Sequence, residues 1–154
     1  MPDLQDTLKN PVSDTQTARK FTIPKDCTVL VVEDNVSNFV LIARLLGYLG
    51  VHCEWKTSGY EVVEFADTLP RLDLILMDIQ MPGMDGLEAI RRIRAEPDPC
   101  VARVPIIALS GLAMASDREK CLQAGANAHL SKPVGLQKLT QVMQAVMAQA
   151  SPSS

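Results

Sequence analysis

Three short runs of uninterrupted apolar residues, each ending abruptly in a polar side chain, constrain this chain most. Thr28-Val29-Leu30-Val31-Val32 runs into Glu33-Asp34, Leu74-Ile75-Leu76-Met77 into Asp78, and Val104-Pro105-Ile106-Ile107-Ala108-Leu109 into Ser110. Runs this short, rich in β-branched residues and without apolar–polar alternation, fit strands buried on both faces, which is the environment of a parallel sheet. Val51-His52-Cys53-Glu54-Trp55 and Ala128-His129-Leu130 are weaker strand candidates. The segments between them carry helical spacing. Val36, Phe39, Val40, Ala43, Leu46 and Leu49 form one stripe, Val62, Val63 and Ala66 a second, and Leu87, Ile90 and Ile93 a third with Arg91, Arg92 and Arg94 opposite. Ser116-Asp117-Arg118-Glu119 reads as a capping box opening a helix that stops at Gly125, and Leu136, Leu139, Val142 and Val146 mark a last helix. The alternation predicts an α/β fold: a single five-stranded parallel sheet with five helices on its two faces, joined by right-handed crossovers.

At 154 residues and 47% apolar, the chain holds one closed core. Residues 1–25, with Pro2, Pro11 and Pro24 and no sustained periodicity, read as a flexible N-terminal tail. Residues 26–149 are the expected folded domain, and 150–154 a C-terminal tail. Eighteen acidic against fifteen basic residues give a net charge of -3, so no global field draws the chain to nucleic acid or to an anionic membrane. No apolar run reaches the roughly 18 residues of a spanning helix, and the start, MPDLQDTLKN, has no apolar signal core. A cytoplasmic protein is expected. Cys27, Cys53, Cys100 and Cys121 form no CxxC pair and read as reduced thiols, and His52 and His129 are too few for a zinc site.

In an open α/β sheet, ligands bind beyond the carboxyl ends of the strands. That places Glu33, Asp34, Asp78, Ser110 and, after the fifth strand, Ser131-Lys132-Pro133 at one end. Each signal alone has a blander reading: a solvated loop or helix cap for the acidic pair, an ordinary turn for Lys-Pro, a cap for the serine. Together they converge where the fold itself would hold a ligand. Carboxylates at a 4 Å spacing repel by about 4 kcal/mol per pair at an effective dielectric near 20. A divalent cation relieves the conflict, and an all-oxygen donor set favours a hard ion such as Mg²⁺. Because Mg²⁺ takes only one or two carboxylates, one remains free as a nucleophile.

Val31-Val32-Glu33-Asp34-Asn35, Leu76-Met77-Asp78-Ile79-Gln80-Met81-Pro82-Gly83-Met84-Asp85-Gly86, Ile107-Ala108-Leu109-Ser110-Gly111 and Ala124-Gly125-Ala126 with Leu130-Ser131-Lys132-Pro133 resemble the receiver domain of two-component response regulators over roughly residues 27–149. The resemblance implies strand order 2-1-3-4-5. It implies Asp78 as the phosphoacceptor and Asp34 as a direct Mg²⁺ ligand, with Glu33 acting through a bound water and the backbone carbonyl of Gln80 as a further ligand. Lys132 would pair with the phosphoryl oxygens across a cis Lys132-Pro133 bond, and Ser110 would hydrogen-bond the phosphoryl group. His129 stands where the family carries an aromatic that turns inward as that hydroxyl moves, so Ser110 and His129 form the implied switch.

The chain departs from the commoner pattern at Glu33 (for Asp) and Ser110 (for Thr), neither of which removes a required group, and at His129 (for Tyr or Phe), where an imidazole has less apolar area and favours the inward state less, the alternative being a plain surface histidine. Leu112, two residues past Ser110, should hinder an attacking water and lengthen the phosphoryl lifetime. The implied protein is a single-domain response regulator rather than a turnover enzyme. It would be phosphorylated by a histidine kinase or histidine phosphotransfer protein, and would signal through helix 4, strand 5 and helix 5 to a protein target or a second copy of itself. The last helix face of Val142, Met143, Val146 and Met147 reads equally as core or as partner surface. The alternative is a receiver-fold binding module that is not phosphorylated. A haloacid-dehalogenase-like phosphatase is disfavoured because Gln80 stands where a second acid is needed, and a flavin protein because the first loop is acidic.

Overall fold

The computed structural model describes residues 23–24, 26–58, 61–62, 64, 72–80, 86–111 and 115–150. Five parallel strands form one sheet in the order β2-β1-β3-β4-β5. They are β1 Thr28–Val32, β2 His52–Lys56, β3 Leu74–Asp78, β4 Ile106–Ser110 and β5 Ala128–Ser131. The described helices are α1 Val36–Leu49, α2 Gly86–Arg94, the single turn α3 Pro99–Ala102, α4 Ala115–Ala124 and α5 Leu136–Ala150. Glu61, Val62 and Glu64 are also helical and Val62 is buried, whereas Val63 and Ala66 of that stripe lie outside the described residues.

The absence of alternation in the strands has a direct cause. In β1, Leu30 and Val32 pack into one core with Ile75 and Met77 of β3, Ile90 and Ile93 of α2 and Cys121 of α4. Val29 and Val31 point the other way, into a core with Leu74, Leu76, Ile42 and Leu46 of α1, and Leu139 and Met143 of α5. Every side chain of the central strands therefore meets a helix layer, and all five positions of β3 and of β4 are buried.

Local signals set the boundaries. Asn35 caps α1 by accepting a hydrogen bond from the Asn38 backbone N–H, and Gly50 ends the helix at a φ of 74°. Gly86 opens α2 because a Cβ there would lie 2.5 Å from the Ile79 Cα. This lets the helix start hard against the end of β3.

Several expectations are corrected. The helix expected to be capped by Ser116 begins at Ala115, so Ser116 lies inside its first turn. The turn Pro99–Ala102, capped by the Asp98 side chain, was not foreseen because it is too short to show periodicity. Val104 and Pro105 precede β4 rather than belonging to it. Ile23, within the segment read as a tail, is buried against the α1–α5 core. The open question on α5 resolves toward the core: Met143, Val146 and Met147 are all buried. The exposed large apolar side chains lie mainly on α1 instead, at Val36, Val40, Leu41 and Tyr48. The tail residues 1–22 and 151–154, the Met81–Asp85 part of the motif and Leu112 lie outside the described residues.

Candidate functional site

Strand register assembles the site. Val32 pairs with Met77, Asp78 with Leu109 and Ser110 with Ser131, so Glu33, Asp78, Ser110 and Lys132 all emerge at one end of the sheet. Carboxylate oxygens of Glu33, Asp34 and Asp78 lie within 4.8 Å of one another. Glu33 and Asp78 are buried, while Asp34 is exposed. Lys132 Nζ sits between the two buried acids, 3.1 Å from Glu33 Oε1 and 3.1 Å from Asp78 Oδ2. The Lys132-Pro133 peptide is cis. Asp78 Oδ1 accepts a hydrogen bond from the Gln80 backbone N–H at 2.9 Å, and the Gln80 side-chain oxygen accepts one from the Gly111 N–H at 2.6 Å. Ser110 is fully buried beneath this end of the sheet.

Among the described residues, Lys132 contacts two of the three clustered carboxylates. Burial, reinforced by the charge of Asp78, holds the Glu33 carboxyl above its usual range despite the Lys132 contact. Burial alone would lower the Lys132 pKa, but the hydrogen bonds and charges of Glu33 and Asp78 outweigh it and raise it. Apart from its Lys132 contact, Glu33 Oε1 is buried without a hydrogen-bond partner. A buried carboxylate oxygen with spare acceptor capacity, beside two more carboxylates, is a donor set suited to a hard divalent cation.

Glu33 is held by groups that sequence reasoning missed. Its Oε2 accepts from the Asn35 N–H at 3.2 Å, and its backbone carbonyl accepts from the Trp55 indole N–H at 2.7 Å. Residues valued in the sequence for strand or helix formation gave no sign of this polar role.

His129 is half-buried on β5, and its Nε2 makes no hydrogen bond. Burial, with the Arg118 charge adding, lowers its pKa against the opposing charge of Asp117. It stands apart from the carboxylate cluster, on the strand whose end delivers Lys132. Between α1 and the β5–α5 loop an open cleft adjoins Lys132, walled by Leu41, Ile42 and Leu45 on one side and Pro133 and Val134 on the other.

A doubly wound five-stranded sheet with an acidic cluster, a buried hydroxyl and a lysine at its carboxyl end defines the class, and the chain belongs to the response regulator receiver domain family, whose sequence profile matches residues 29–144. These are phosphoacceptor signalling domains of two-component systems. Among curated relatives, the signal transduction histidine-protein kinase BarA of Escherichia coli (strain K12) is 44% identical over 112 residues, covering 73% of this chain and 12% of that kinase. The sensor protein GacS of Pseudomonas syringae pv. syringae is 40% identical over 116 residues, 75% of this chain and 13% of the sensor. The chain thus spans only about an eighth of the length of these relatives.

Solved structures agree with the fold. The receiver domain of sensor histidine kinase PA1611 from Pseudomonas aeruginosa PAO1, which has a magnesium ion coordinated in its active-site cleft, superposes with a TM-score of 0.72 at 40% identity, covering 80% of this chain and 98% of that one. A chain in the co-crystal of the Saccharomyces cerevisiae histidine phosphotransfer signaling protein Ypd1 with the receiver domain of its downstream response regulator Ssk1 gives a TM-score of 0.72 at 31% identity, covering 83% and 94%. Among the described residues no helix is long and apolar enough to cross a membrane.

Proposed function

We propose that Asp78 accepts a phosphoryl group from a phosphohistidine on a histidine kinase or histidine phosphotransfer protein. The observation that carries this is the placing of Asp78: buried at the end of β3, one oxygen on Lys132 and the other on a backbone N–H, within reach of two further carboxylates. An Asp78 oxygen attacks phosphorus, the P–O bond forms, the P–N bond breaks, and the imidazole leaves with the bonding pair and takes up a proton. Glu33, Asp34, Asp78 and the Gln80 carbonyl would hold Mg²⁺, which when bound neutralises charge on the transferring group. Lys132 turns its ammonium from the carboxylates to the phosphoryl oxygens, and the Ser110 hydroxyl bonds the same group.

The added charge of about -1.5 to -2 draws Ser110 toward it, and His129 turns inward behind it. The signal then leaves through α4, β5 and α5 to a protein target or a second copy of the chain. The apolar cleft beside Lys132 supports a protein donor, because its walls offer a docking surface that a small phosphate would not use. Water later cleaves the acyl phosphate, slowly if Leu112 shields it. The chain acts as a free-standing regulator, tested by immunoblot: a native band at 16.8 kDa supports it, and a much larger one overturns it.

The chemistry is tested by incubating the protein with acetyl phosphate and Mg²⁺, or with a phosphorylated kinase, and reading intact mass. A gain of about 80 Da, absent in Asp78→Ala and abolished by EDTA, is expected. No gain from either donor would overturn the proposal in favour of a binding module.

A further inference from the structure

The chain has one tryptophan, and it lies on the edge strand, outside the sequence motifs that mark the site. Its indole N–H nevertheless donates to the Glu33 backbone carbonyl at 2.7 Å, while the Glu33 N–H donates to the Lys56 carbonyl at 3.0 Å. Both backbone polar groups of Glu33 are therefore tied to the end of β2, one through the ladder and one through a side chain. The Trp55 ring is itself fixed, stacked on Phe39 of α1 with centroids 4.3 Å apart and planes 3° from parallel. Glu33 follows the last residue of β1, where ladder hydrogen bonding ends and the chain turns into α1. Its carboxylate is gripped from the opposite side of the sheet by Lys132, which follows β5. Two sheet edges thus converge on one residue, β5 setting the side chain and β2 the backbone from which it springs.

We propose that Trp55 is a positioning residue for the acidic loop: its indole N–H fixes the Glu33 backbone, and so the aim of the Glu33 and Asp34 carboxylates at a cation. As the sole tryptophan, it also makes the loop optically readable, since a cation drawing on Glu33 changes the field on the indole. The role in cation binding rests on the function proposed above.

Trp55→Phe keeps a ring for the Phe39 stack and removes only the donor, whereas Phe39→Leu removes the stack and keeps the donor. By calorimetry with Mg²⁺ alone, Trp55→Phe is expected to weaken binding about five-fold, the size of one lost hydrogen bond, with a melting temperature near wild type. Amide hydrogen exchange at Glu33 and Asp34 is expected to speed up in the same variant. Phe39→Leu is expected to lower the melting temperature more than it weakens Mg²⁺ binding. Unchanged Mg²⁺ affinity in Trp55→Phe with a lowered melting temperature would make Trp55 a packing residue only and overturn the proposal. If the wild-type chain binds no Mg²⁺, the functional reading fails by itself, and the exchange rates decide: faster exchange in Trp55→Phe upholds the backbone role, equal rates overturn it.

Discussion

The sheet is anchored at its two ends by two partly buried cations whose surroundings could hardly differ more. At the amino ends of β4 and β5, the Arg94 guanidinium donates to the carbonyls of Gly125, Ala102 and Val104 and to the Asn127 side chain, at 2.7–2.8 Å. Asn127 Oδ1 in turn accepts from the Ile106 N–H at 2.8 Å. All these acceptors are neutral, and the three carbonyls lie at a helix end and in loops, where backbone oxygens need partners from outside the ladders. Burial lowers the Arg94 pKa, but a guanidinium stays charged throughout any ordinary range. At the carboxyl end, Lys132 faces two buried carboxylates with a third nearby. The fork of Arg94 closes a network; the point charge of Lys132 leaves one open. A satisfied cation holds structure, whereas an outnumbered one leaves acceptor capacity for an incoming cation or phosphoryl group.

That contrast is breakable. Arg94→Ala strands three partly buried carbonyls at once and should cost about 3 kcal/mol of stability by denaturant unfolding, while Asp78 phosphorylation per folded molecule stays unchanged. Gly125 sharpens the test, because a Cβ there would meet the Arg94 Cγ at 2.7 Å and the backbone φ is +122°. Gly125→Ala should therefore lose stability too, and equal unfolding midpoints for it and wild type would refute the idea of a tightly closed network.

Lys132→Ala should do the reverse. Phosphorylation by acetyl phosphate, followed by mass, is expected to fall about 100-fold through loss of a charge that acts on the transferring group, with little change in unfolding midpoint. A variant that merely unfolds would place Lys132 with Arg94 as a structural cation. Next in size, Mg²⁺ at ten times its dissociation constant should stabilise the chain by about 1.4 kcal/mol, an increment abolished in Asp34→Ala and retained in Arg94→Ala.

The smallest effect concerns Glu33 in the presence of EDTA. Its folded pKa is raised above 4.5 with burial as the main cause, so the folded state binds more protons than the unfolded chain above that pH. Stability therefore falls as pH rises from 4.5 through the raised value. Glu33→Gln should be more stable than wild type at neutral pH and equal to it below pH 4.5, as read by urea midpoints across that range. A variant less stable at neutral pH would show that the Lys132 contact outweighs the burial.

Much of this was legible without coordinates. The apolar runs reported strands covered on both faces, because only a two-sided core tolerates consecutive Leu, Ile and Val. Their terminal carboxylates then located the site, because in a parallel sheet all strand ends of one sense lie together. Gly125 was readable as the stop of α4, since a left-handed backbone depends on one residue. The sequence also left α5 open between core and partner face, a matter only packing resolves, because a helix stripe does not say what lies opposite it.

What only the tertiary structure decided are contacts between residues distant in the chain and ordinary by type. Arg94 looked like one of three arginines opposite an apolar stripe, yet it reaches a carbonyl 31 residues away. Trp55 looked like an edge-strand aromatic, yet its polar edge meets a backbone carbonyl 22 residues back. Periodicity records which face of an element is apolar and motifs record which side chains are reactive. Neither records where a single N–H will find its acceptor, because that depends on how separate elements pack, and packing is a property of the whole fold.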